Sequence, residues 1–258
     1  MRAIASKILA LAVSVGYCAA EAASIDVEPI SSKAVLINIS GSIAAGDSDR
    51  LKETWESQKN HPSIYLDSRG GDVDEALRMG RFLRAKRAMA TVSPGGTCAS
   101  ACVFLLMGAP FRAVTAYSQV IIHRPYTTST EDLPDEVREK NYRERTARIR
   151  SFLDEMHFSQ DLFHEMESTP PEQGHLLSEA ELTRWGLNAT DPVFQESVDA
   201  KTARRLGVTM EELVKRHARI ESVCNSANDS SAPNISTDLD AYGKWYSKCY
   251  SDVEHGIR

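Results

Sequence analysis

The sequence predicts an α/β fold on three observations. Short β-rich runs alternate with segments of helical period between residues 35 and 92. Glycine-rich turns follow two of the β-rich runs, and a long charged helix then leads toward a cysteine-bearing helical tail. Such alternation lays helices over a largely parallel sheet and gathers functional residues near the strand ends. A hydrophobic share of 42% supplies one sizeable core in 258 residues. With a net charge of -6 and no basic stripe interleaved with aromatics, the composition argues against a nucleic-acid partner.

Taken in order, residues 1–22 read as a secretory signal peptide. Arg2 and Lys7 make a positive start, residues 8–15 are apolar, and Ala20-Glu21-Ala22 offers small residues at the cleavage spacing. The apolar run is too short for an ordinary anchor and no later stretch approaches membrane-helix length, so the mature chain is expected to be soluble, periplasmic or secreted, without a transmembrane segment. Periodicity then predicts strands at 35–39, 64–67, 88–92 and 118–122 and helices at 47–58 and 73–86. The loop 127–132 is polar. Pro134 opens a helix to about residue 156, on which Ile149, Phe152, Leu153 and Met156 form an apolar stripe. Its basic residues, from Arg138 to Arg150, alternate with Glu136, Glu139 and Glu144 as in a salt-bridged helix face. Ser178 to Glu181 and Thr209 to Glu212 both fit a capping box. The organisation expected is a main domain over 23–200 and a helical appendix over 201–258, with helices near 210–220 and 239–250. Tyr242, Trp245, Tyr246 and Tyr250 make an aromatic stripe there, read first as core packing and second as a partner surface.

Chemistry concentrates at Gly95-Gly96-Thr97-Cys98-Ala99-Ser100-Ala101-Cys102 before the apolar Val103-Phe104-Leu105-Leu106. Ser100 stands where an extended chain turns into a buried helix, whose first N–H groups lack intrahelical partners and favour negative charge. A lone serine in a Gly/Ala-rich turn is more often chosen for tight packing, so the wider constellation decides. Upstream, Leu66-Asp67-Ser68-Arg69-Gly70-Gly71-Asp72-Val73 reads as strand, glycine turn and helix. Downstream, Val120-Ile121-Ile122 delivers His123 to a strand end before Arg124-Pro125.

Together these three motifs resemble the ClpP-like serine peptidases of the crotonase superfamily, over about residues 34–187. The resemblance implies a ClpP/crotonase-like fold of repeated ββα units, with Ser100 as nucleophile, His123 as general base, and the N–H groups of Gly71 and Ala101 as the oxyanion hole. An imidazole that takes the serine proton and two fixed donors for the oxyanion suit acyl transfer. It also implies a peptide or protein substrate and self-association through the charged helical arm. Two positions depart from the pattern. Arg69 stands where a proline is usual, and Gly174 stands where an acid is expected, which leaves Glu172, Glu167, Asp161, a water or a backbone carbonyl to orient His123. Lys140, a candidate for a Ser-Lys dyad, lies in the charged helix.

Four cysteines remain beyond the signal region, and export favours pairing. Cys224 and Cys249 would close a loop worth roughly 3 kcal/mol; Cys98 and Cys102, four apart, can bridge around Ser100. Zinc held by that pair and His123 competes, but no second Cys or His pair has metal-site spacing, so neither metal nor cofactor is expected. Three functions stand at this point. They are an exported, ATP-independent serine peptidase working through a Ser-His acyl-enzyme, a non-catalytic secreted binding or scaffold protein of the same fold, and, last, acyl-CoA chemistry.

Overall fold

The computed structural model describes residues 22–32, 34–126, 133–225, 229–234 and 237–257. The signal peptide read from residues 1–22 lies outside the described residues except for Ala22, and so does the polar loop 127–132. The chain divides into two compact units, one ending at Ala189 and one beginning at Thr190.

In the first unit the elements run β1 (Ser24–Pro29), β2 (Val35–Ile43), α1 (Asp47–Glu56), β3 (Ser63–Gly71), α2 (Val73–Ala85), β4 (Met89–Val92), β5 (Thr97–Ala99), α3 (Cys102–Gly108), β6 (Phe111–Val114), β7 (Gln119–Ile122), α4 (Asp135–Glu155), α5 (Gln160–Ser168), β8 (His175–Leu176) and α6 (Glu179–Arg184). The expected α/β alternation is present, and β2, β3, β4, β5, β6 and β7 pair in parallel. The strand β3 forks the sheet. Its first half pairs with β4 through Ile64, Tyr65 and Leu66, and its second half pairs with β5 through Ser68. From β5 the second branch continues to β7, which pairs with β8 antiparallel.

Apolar alternation explains why β3 is a central strand. Ile64, Leu66, Ser68 and Gly70 point inward while Asp67, Arg69 and Gly71 are exposed. The helices cover this sheet with apolar stripes. Leu77, Met79 and Leu83 come from α2, and Leu105 and Leu106 from α3. Ile149, Phe152 and Leu153 of α4 are fully buried in the same core. On its other face α4 carries the expected ion pairs, Arg143 with Glu139 at 3.0 Å and Arg148 reaching Asp74 of α2 at 2.7 Å.

The strands β1, β6 and β8 have no counterpart in the sequence reading, and three more differ from it. The one predicted at 35–39 runs on to Ile43, and the one predicted at 64–67 continues through its glycines to Gly71, because both keep pairing across a bulge: Ser40 faces Asp67, but Ser42 already faces Gly70. The third, β5, has three residues inside a small-residue run that carries no β periodicity; its pairing with β3 and β7 is wholly tertiary.

The second unit contains α7 (Pro192–Leu206), α8 (Met210–Val223) and α9 (Leu239–Glu254). Its clustered core is Ile220, Cys224, Cys249 and Val253, with Cys224 and Cys249 joined by a disulfide. The capping box expected at Thr209 is half made. Thr209 Oγ accepts from Glu212 N–H at 3.1 Å, but the Glu212 carboxylate is drawn instead to Arg216, 2.8 Å away. At α6 the full box forms between Ser178 and Glu181. The aromatic stripe of α9 is stacked on itself, with Tyr246 and Tyr250 37% and 36% exposed. Fully buried on α9 are Cys249 and Val253, and Tyr242 and Trp245 are half-buried.

Candidate active site

The second branch of the sheet assembles the site by register. Ser68 lies opposite Cys98, and Cys98 lies opposite Val120. Two residues further along each strand come Gly70, Ser100 and Ile122, so the carboxyl ends of β3, β5 and β7 bring the glycine turn, the serine and His123 side by side. Adjacent strands stand only about 4.8 Å apart, and the ends of parallel strands are where α/β folds place ligand sites. Ser100 and His123 accordingly line one recess with Val73, Ala101, Phe104, Ile122, Pro125 and Met166. The recess is tight, about 10 Å³, and largely apolar.

Ser100 has φ 54, in the left-handed region that non-glycine residues seldom occupy. Its N–H donates to the Ile121 carbonyl at 2.9 Å, tying the turn to β7. Ala101 is the N-cap residue of α3 and supplies no side-chain cap. Opposite this turn Gly70 (φ 93) makes a close approach: a Cβ there would lie 2.7 Å from Ala101 N and Ala99 O and 2.8 Å from Ser100 Cβ. A Cβ on Gly71 (φ 143) would collide with the Ile43 backbone of β2. Of the two glycines, Gly70 is packed on the serine turn and Gly71 on the neighbouring strand. The bend that places them is held by Ser68, whose hydroxyl donates to the Gly41 carbonyl at 2.6 Å and accepts from Gly70 N–H at 3.1 Å. Ser68 escaped the sequence reading, although a serine two residues before a glycine is a recognisable turn signal. Arg69, at the position where proline is usual, points outward and is exposed.

His123 is half-buried, with its ring centroid 5.6 Å from that of Tyr126. Its Nδ1 is 2.9 Å from the Arg124 carbonyl. A carbonyl only accepts, so this bond requires the proton on Nδ1 and leaves the Nε2 lone pair to accept, the tautomer a general base for serine needs. On the other side of the same residue, the Arg124 N–H donates to Thr169 O at 2.8 Å. Continuing the β7–β8 register, in which Ile121 faces Leu176 and Ile122 faces His175, sets Gly174 opposite His123. The acid-less position thus lies across from the His123 backbone one step past the last paired residues. The alternative acids are engaged or exposed: Glu167 bonds Tyr142 and Arg150, each at 3.3 Å, while Asp161 and Glu172 are exposed. Among the described residues none of the three makes a hydrogen bond or ion pair with His123. Lys140 is exposed and faces Glu144 at 3.9 Å.

Cys98 and Cys102 form a disulfide that spans Ser100, with Cα atoms 5.3 Å apart and both residues fully buried. Among the described residues no group of three or more His, Cys, Asp or Glu side chains is arranged to hold a metal ion. A larger cleft of about 550 Å³ shares Pro125 with the recess. It is lined by Arg124, Tyr126, Tyr142 and Arg145 as well as the ion-paired Asp135 and Arg138.

Residues 51–167 match the family model described as Clp protease. Among solved structures the chain is similar to a point mutant of ClpP1 from Listeria monocytogenes, with 16% identity over 59% of this chain and 88% of that one and a TM-score of 0.47. It is also similar to a point mutant of the 1510-N membrane-bound stomatin-specific protease (19% identity, 58% and 75% covered, TM-score 0.44). A second mutant of that protease, in complex with a substrate peptide, matches at 20% identity with 58% and 71% covered and a TM-score of 0.43. No curated protein matches. Ser100, His123 and the glycine turn all fall inside the matched segment, so the part of the chain that carries the candidate site is the part that is similar to the Clp protease family.

Proposed function

We propose that this chain is an exported serine peptidase that hydrolyses peptide bonds without a nucleotide, through an acyl-enzyme on Ser100. The observation that carries the reading is the left-handed Ser100 sharing one recess with a His123 whose Nδ1 is committed to a backbone carbonyl. In the reaction Ser100 Oγ bonds to the scissile carbonyl carbon as its proton passes to His123 Nε2. The oxyanion is held by the N–H of Ala101 with a partner from the Gly70-Gly71 turn. Collapse breaks the C–N bond and His123 returns the proton to the leaving amine; water then repeats the cycle and frees Ser100. The 550 Å³ cleft beside Pro125, with its arginine and tyrosine lining, supports a peptide as substrate. Both disulfides support export to an oxidising compartment, in agreement with the signal-like first residues.

Gly174 opposite His123 favours a second reading, a non-catalytic scaffold that retains the fold. Labelling of the purified mature protein by a fluorophosphonate separates the two. Adduct on Ser100 that disappears in Ser100→Ala and falls at least 100-fold in His123→Ala is the expected result; folded wild type that takes no adduct would establish the scaffold.

A further inference from the structure

We infer that the Cys98–Cys102 disulfide is a positioning element for the nucleophile: it holds the β5–α3 turn so that Ser100 stays in its left-handed conformation. This rests on the proposed role of Ser100.

The turn lacks the local devices that ordinarily hold such a conformation. Left-handed backbone is the province of glycine, and Ser100 has a Cβ that disfavours it. An N-cap side chain would fix the entry to α3, yet Ala101 occupies the cap. What remains without the disulfide is the Ser100 N–H to Ile121 bond, two tight bonds within the turn, from Val103 N–H to Ser100 O and from Phe104 N–H to Ala101 O, both 3.1 Å, and the approach of Gly70. The cysteines close this gap covalently. Cys98 is anchored on both sides, by the β3 and β7 ladders, and Cys102 is the first residue of α3, so the bond joins a fixed strand to the helix start across Ala99, Ser100 and Ala101. Both cysteines are fully buried and belong to the same large core as Val103, Leu105, Leu106 and Val120. A bond between residues four apart constrains the unfolded chain less than a long-range one does, and in the folded chain it acts directly on the three residues it spans. Among the described residues the other non-glycine positions with positive φ, Arg87, Tyr117 and His157, are spanned by neither disulfide at so short a range.

The test is hydrogen exchange read by mass spectrometry on peptides covering residues 95–106, comparing wild type with the double variant Cys98→Ala/Cys102→Ala. The pair Cys224→Ala/Cys249→Ala serves as control. At least tenfold faster exchange of the amides of residues 99–104 is expected, with the rest of the domain unchanged, together with at least a tenfold slower fluorophosphonate labelling of Ser100. Unchanged exchange over residues 99–104 in folded variant would overturn the inference. Exchange does not depend on activity, so a wild type that takes no label but shows the local rise in the variant sinks the peptidase reading and leaves the clamp standing. Because an alanine pair leaves a cavity, Cys98→Val/Cys102→Ala is measured beside it. Loss of protection throughout the domain in both pairs would make the bond a general stabiliser and the inference wrong.

Discussion

Cys98 and Cys102 lie within a large apolar core built from a forked sheet and its covering helices, whereas Cys224 and Cys249 are themselves half of a four-residue cluster completed by Ile220 and Val253. Loop length separates the two bonds further. In the chain-entropy picture, a bridge 25 residues apart constrains the unfolded chain by about 3 kcal/mol and one four apart by about 2 kcal/mol. The first unit buries a large apolar core around its bond; among the described residues of the second, the buried apolar groups beside the bond are Ala203, Leu213, Ile220 and Val253, so the bond is a larger share of what holds it. The same covalent chemistry therefore restrains a strained turn in one region and supplies a core in the other.

The largest effect expected from breaking this contrast is in the second unit. Cys224→Ala/Cys249→Ala should cost about 3 kcal/mol or more and release α8 and α9, seen as early tryptic cleavage after Lys244 or Lys248. Fluorophosphonate labelling of Ser100 should change less than twofold. A protease-resistant variant would show that polar contacts such as His217 with Glu254, 3.3 Å apart, hold the unit without the bond.

Next in size is Glu75, a buried carboxylate of α2 that accepts from Ser48 N–H at 2.6 Å and pairs with Arg78. Burial by itself would raise its pKa, but the Ser48 and Arg78 bonds outweigh burial and leave it below the ordinary carboxylate value. Glu75→Gln is expected to lower the stability of the first unit by about 2 kcal/mol at pH 7 and leave the second untouched. A depressed folded pKa contributes stability above the unfolded value near 4.3 that is lost as pH falls through the folded value. The gap in thermal midpoint between wild type and variant should therefore narrow below about pH 4; a gap constant with pH would assign the loss to packing alone.

The smallest effect concerns the orientation of the imidazole. Gly174 has φ 60, which aspartate tolerates better than most residues, and a Cβ there would meet Ile121 Cγ2 at 3.0 Å. Gly174→Asp should cost about 1 kcal/mol of stability and raise the labelling rate of Ser100 severalfold, by placing a carboxylate opposite His123. An unchanged or slower rate would show that the Arg124 carbonyl already sets the tautomer completely.

Much of the first unit was legible in the chain because its signals are local. Val35 to Ile39 and Ile64 to Leu66 have the alternation of half-buried strands, and the stripe from Ile149 to Met156 has helical spacing that the structure buries whole. The relation of Ser100 to His123 was legible only through the combined motifs, since neither residue stands out alone. Three features were illegible. The strand β5 exists only because β3 and β7 flank it, the contact of Gly70 with the serine turn depends on the bulge after Ser40, and the Arg124 whose carbonyl meets Nδ1 is tied by its own N–H to Thr169, 45 positions away.

By itself, then, the sequence determined the order of elements, the residues able to do acyl-transfer chemistry and the cysteines available to pair, because propensity, periodicity and side-chain chemistry belong to each residue and its near neighbours. Only the tertiary structure decided which atoms meet. The fork of β3, the register of β3, β5 and β7, and the orientation of His123 by a backbone carbonyl all arise from hydrogen bonds between distant segments, and no local pattern encodes their alignment.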